Sequence, residues 1–152
     1  MGVIFGYYAA LDDQDAGRVI LYAEGQAGGS GDDQVLVSGI DPVVDLPWVE
    51  FALTGRSSRF IKSDPGHARM VSSAGDGESV ISITDSLREA LASADPDFLD
   101  DIAKNWRVSG SSAPSFDASS LSDFLRKLAV LAERAIADGA HMYCWKRLKL
   151  II

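Results

Sequence analysis

A chain of 152 residues with 14 Lys and Arg against 22 Asp and Glu, 47% hydrophobic and 24% charged, has the size and composition of one globular domain. Its formal charge of −8 works against a nucleic-acid or anionic-membrane surface, each of which calls for excess Lys and Arg. The lone cysteine, Cys144, cannot close an internal disulfide, so a reducing cytoplasm is the expected location.

Val3 to Tyr8 presents two apolar faces, Val3/Phe5/Tyr7 and Ile4/Tyr8, as a central strand covered on both sides would. No Lys or Arg precedes it, so it reads as a strand and not as a secretory leader. Asp12 or Asp13 then caps a helix predicted to pass through Val19, Ile20 and Tyr22 to about Glu24. The glycine-rich stretch that follows, 25–33, is predicted to be a mobile loop. A phosphate loop would end in Lys-Ser or Lys-Thr, and this one ends in Asp32-Asp33.

Asp41-Pro42 opens a short turn over 42–45, and Pro47 starts a helix to Thr54 that Gly55 stops. Residues 56–69 are predicted to be irregular, with a turn at Asp64-Pro65-Gly66. Arg69–Ser72 and Ser79–Ile83 flank Gly75-Asp76-Gly77 as a hairpin would. Thr84 to Ser93 is predicted to be helical with Leu87, Ala90 and Leu91 on one face. Asp95-Pro96 opens another helix to about Trp106, with Phe98, Leu99, Ile102 and Trp106 as its buried stripe. A Ser/Gly/Pro linker covers 109–115. Ser120-Leu121-Ser122-Asp123 resembles a capping box, and apolar residues from Leu121 to Ile136 hold helical period until Gly139. His141 to Leu148 reads as the last strand. The sum is a single compact α+β domain over 1–152, a small mixed or antiparallel sheet with N- and C-terminal strands packed against four or five helices.

No nucleophile elbow and no metal-ligand spacing appear; His67 and His141 are the only histidines, and no cofactor or metal is expected. Cys144 lies three residues from His141, which on a strand places them on opposite faces, so Cys144 is expected to pack with Met142 in the core. Period two instead gathers His141, Tyr143, Trp145, Arg147 and Lys149 on one face, suited to a ligand or partner and equally to a half-covered sheet face. Residues 56–69 hold Arg56, Arg59, Lys62, His67 and Arg69 against Asp64 alone, a basic island that could hold an anion. Glu50, between Val49 and Phe51, is the acid expected to be partly buried and therefore shifted in pKa.

Met1-Gly2-Val3 leading to Tyr7-Tyr8, Gly39-Ile40-Asp41-Pro42, Leu53-Thr54-Gly55, and a long helix closed by Gly139 before Tyr143-Cys144-Trp145 resemble the YfbM-like family of uncharacterised bacterial proteins. The similarity covers nearly the whole chain, apart from 25–34 and 56–79, and is nearest to an actinobacterial branch. It implies a compact α+β domain and no activity, cofactor or catalytic residue.

Two functional classes follow. The first is a noncatalytic protein-interaction domain, immunity- or antitoxin-like, whose acidic surface meets a partner with a basic surface. The second is a binder of a small anion, or a minor enzyme, with a pocket near Trp48, Glu50, Arg56, Arg59, His67, His141, Tyr143, Trp145 and Arg147. Charge is unevenly spread, since residues 146–152 carry +3 and 1–145 carry −11. An anion site is therefore expected where 56–69 and the C-terminal strand meet, if they do.

Overall fold

The computed structural model describes residues 2–17, 34–38, 40–74, 78–106 and 117–149. In chain order these form β1 (Gly2–Ala10), α1 (Asp13–Gly17), β2 (Val35–Ser38), α2 (Leu46–Thr54), α3 (Ser58–Ser63), β3 (Met70–Ala74), β4 (Glu78–Ser82), α4 (Asp85–Ser93), α5 (Pro96–Asn105), α6 (Ala118–Ala137) and β5 (His141–Lys149). The five strands make one sheet of order β2-β1-β5-β4-β3, and every described pairing is antiparallel. β5 is the central strand. It pairs with β1 from Gly2↔Lys149 to Ala10↔His141, and with β4 from Ser79↔Lys146 to Ser82↔Tyr143.

Strand alternation divides the sheet into two unequal faces. Phe5, Tyr7, Met142 and Cys144 join Leu46 and Val49 of α2, Leu87 and Leu91 of α4, Leu99 and Ile102 of α5 and the apolar stripe of α6 in the main core. Tyr8, Ala10, Val80, Tyr143 and Trp145 form a smaller cluster on the other face, under Ala16 of α1. The two-sided burial expected of β1 is present, and Cys144 packs on the Met142 side. Gly6 faces Trp145 across the β1–β5 ladder, and a Cβ there would lie 2.2–2.4 Å from three atoms of the indole, closer than any side chain could sit. Glycine at that position is what lets the ring lie flat on the strand.

Capping chemistry sets most helix starts. Thr84 Oγ1 accepts from Leu87 N at 3.2 Å, Asp95 Oδ1 accepts from Asp97 N at 2.9 Å ahead of Pro96, and Asp12 Oδ1 accepts from Asp15 N at 2.8 Å. Gly55, at φ 75°, closes α2 in the left-handed region that non-glycine residues avoid.

The structure corrects several expectations. Among the described residues there are six helices, because the polar stretch expected to be irregular contains α3, whose Ile61 is fully buried and whose N-cap is Ser57. β2 was not anticipated; four residues are too few for a periodic signal. α6 begins at Ala118, with Asp117 as its cap accepting from Ser120 N at 2.7 Å, so the Ser120 capping box is not formed. Phe98 and Ile136 lie on outer helix surfaces and are exposed. α1 is described only to Gly17. The rest of that predicted helix, the 25–33 stretch, the 75–77 turn and the 109–115 linker lie outside the described residues. No helix among the described residues is long and apolar enough to cross a membrane.

Candidate functional site

The antiparallel register ends β1 at Ala10 opposite His141, and the starts of α1 and α4 converge beside that end of the sheet. The 64–69 turn completes the walls of a cleft of about 660 Å³, lined by Leu11, Asp12 and Asp13, by Asp64, Gly66 and Arg69, and by Ser82, Asp85, Ser86, His141 and Tyr143 among others. Ser82 pins the turn in place. Its hydroxyl donates to Gly66 O at 2.6 Å and accepts from Arg69 N at 3.1 Å.

Three polar groupings surround this space. Asp13 takes a two-nitrogen contact from Arg69, one arm at 3.0 Å, and a hydrogen bond from the Tyr143 hydroxyl at 2.9 Å. The Arg69 hydrogen bonds hold the Asp13 carboxyl below its ordinary range, with Tyr143 adding to the effect. Burial raises the Tyr143 phenol, and its bond to Asp13 raises it further. In the second grouping Asp85 Oδ1 lies 2.8 Å from His141 Nδ1, and Arg88 donates to Ala140 O at 2.6 Å beside them. A carboxylate on Nδ1 orients the ring.

The third grouping is centred on Glu50, which is 2% exposed. Its carboxylate accepts from Thr84 Oγ1 at 2.6 Å, Ser86 Oγ at 2.6 Å and Arg56 Nη1 at 2.9 Å. Arg56 also contacts Ser86 and reaches Asp64 Oδ2 at 3.3 Å. Three donors satisfy a carboxylate that would otherwise be costly to bury. Glu50 is thus buried more completely than the partial burial expected, and its role in this geometry is to tie α2 to α4 and to the 64–69 turn.

Of the other residues singled out from sequence, Trp48 and Arg59 are exposed on α2 and α3 and do not line the cleft. His67 is half-buried, and desolvation pushes its imidazole down. Trp145 is buried against Gly6, with Nε1 donating to Gln34 Oε1 at 2.8 Å. Arg147 stacks on Trp145, 5.6 Å from the ring centroid, and pairs with Glu78 at 3.2 Å. The face from Tyr143 to Arg147 is thus a half-covered sheet surface. Cys144 is buried in the main core, and that burial pushes its thiol up.

The basic island and the C-terminal strand do meet, but across an acid: Arg69 and Tyr143 converge on Asp13. The cleft they border holds Asp12, Asp13, Asp64 and Asp85 against Arg69 and His141, so its charge is the reverse of what the sequence suggested. The acids missed from sequence were visible only as caps and first-turn residues, and their convergence depends on strand register. Among the described residues no three His, Cys, Asp or Glu side chains are placed to hold a metal ion. Comparison with protein-family models, with curated proteins and with solved structures returned no match.

Proposed function

We propose that the chain is a noncatalytic protein-interaction domain, immunity- or antitoxin-like, that meets a partner with a basic surface. The supporting observation is the cleft: Asp12, Asp13, Asp64 and Asp85 line it, and Asp13 and Asp64, with Glu50, engage Arg69 and Arg56, the cations that an anion would need. The net charge of −8 steers a basic partner toward such a surface. The same reading carries the YfbM-like relationship and a cytoplasmic location, the latter supported by one buried, unpaired thiol. A pull-down from native extract at low salt tests it, using the wild type and an Asp12→Asn/Asp85→Asn variant. A stoichiometric basic partner retained roughly fivefold less well by the variant is expected, because two exposed charges contribute about 1 kcal/mol between them. Absence of any such partner overturns the reading.

A second reading, a small anionic-ligand site or minor enzyme at the start of β5, is favoured by the cleft's volume and by His141 held 2.8 Å from Asp85. A thermal-shift screen with anionic metabolites decides it, since ligand at ~100 times its Kd adds about 2.7 kcal/mol. A flat response removes this reading.

A further inference from the structure

The Asp13 carboxylate already holds a guanidinium. Arg69 reaches it from the 64–69 turn with two nitrogens, the fork by which Arg recognises carboxylates, and the Tyr143 hydroxyl donates to Asp13 Oδ1 at 2.9 Å. These two supports differ in permanence. Tyr143 is 2% exposed and belongs to the central strand, so it fixes the carboxylate in place. The side chains of Arg69 and Asp13 are 46% and 48% exposed, and an ion pair so open to water contributes little to stability. A competing cation therefore faces a low cost in opening it.

The backbone beneath Arg69 does not depend on that pair. Ala68 alone among the described non-glycine residues lies in the left-handed region, at φ 50°. Its N–H donates to Ser82 O at 3.1 Å, and Ser82 N donates to Arg69 O at 3.0 Å, so the turn stays pinned if the Arg69 side chain lets go. Around the pair the cleft carries the exposed Leu11 and Pro65, apolar surface suited to the stem of a long cation, and the exposed Asp12. We propose that Arg69 is a resident occupant that closes the Asp13 position, and that a basic partner binds by putting a guanidinium of its own in that place. The proposal rests on the partner reading of the cleft and adds the group recognised and an autoinhibitory contact within the chain. Arginine is preferred to lysine, because a single ammonium cannot make the two-nitrogen contact.

The test is fluorescence anisotropy of labelled hexa-arginine and hexa-lysine titrated with the full chain at low salt. Arg69→Gln is expected to bind hexa-arginine about fivefold more tightly than the wild type, and Asp13→Asn about fivefold less tightly. With hexa-lysine the gain from Arg69→Gln is expected to stay under about twofold. Lys62→Gln removes an exposed cation of α3 that does not line the cleft, makes the same change in net charge, and is expected to leave the affinity unchanged. All three positions are exposed, so circular dichroism should match the wild type. An Arg69→Gln protein that binds no better than the wild type, or worse, as loss of a mere tie between α1 and the turn would give, overturns the proposal. An equal gain from Lys62→Gln, or with hexa-lysine, assigns the effect to charge alone and also overturns it. In each of these cases binding by the wild type leaves the basic-partner reading standing. Failure of both the wild type and Arg69→Gln to bind hexa-arginine overturns the proposal as well, and the pull-down then decides the partner reading by itself.

Discussion

Helices α2 and α6 use similar residues in opposite arrangements. In α6 the stripe Leu121, Phe124, Leu125, Leu128, Leu131, Ala132 and Ala135 is buried, while Asp123, Arg126, Lys127, Glu133 and Arg134 stay in water. In α2 the charge is inside and the large aromatics are outside. The first arrangement needs only removal of apolar area from water. The second needs a complete set of hydrogen bonds around Glu50, and it leaves apolar surface for something else to cover.

The comparison can be broken from either side. Leu128→Ala, at a fully buried position in α6, is expected to lose about 3–5 kcal/mol in urea unfolding, the transfer and cavity cost of a core leucine. A loss under ~1 kcal/mol would mean that the α6 stripe is loosely packed. Glu50→Ala is expected to cost about 3 kcal/mol, the low end for breaking a buried pair, because the Arg56 side chain is 33% exposed and regains some hydration. Glu50→Gln should recover part of this by keeping a bond to Thr84 or Ser86. A Glu50→Ala protein as stable as the wild type would show that the inward charge is relieved by solvent. The smallest effect is expected at Phe51→Ser, within about 0.5 kcal/mol in monomer stability, since that side chain is 49% exposed. A loss above ~2 kcal/mol would mean that the outer face of α2 is covered in the monomer.

The same contrast shows what was legible in the sequence. Period locates α4, α5 and α6, the Asp95-Pro96 cap marks the start of α5, and the Gly75-Asp76-Gly77 signal separates β3 from β4; each of these helices buries one stripe and exposes the other. Gly55 marked the end of α2, since a left-handed residue leaves a chemical signature. Period places Phe98 and Ile136 on buried stripes, yet both are exposed, because period identifies a face while its width depends on the neighbouring helix. Helix α3 was hidden because its buried contribution centres on Ile61 within a polar run. For the site, Glu50 could be singled out locally as a lone acid among apolar neighbours. The pairings of Asp13 with Arg69 and Asp85 with His141 join residues 56 apart in each case and exist only through tertiary register.

The position of β5 in the sheet bears on how the molecule comes to fold. β1 lies between β2 and β5, so its longest ladder joins residues from opposite ends of the described chain, Gly2 with Lys149. Until the intervening chain has been synthesised, a strand apolar on both faces has only the short β2 as a sheet neighbour. Contacts of such high sequence separation make folding slow, and unpaired strands of this kind favour aggregation meanwhile. Expression yield should therefore depend less on final stability than on how quickly β5 reaches the slot between β1 and β4.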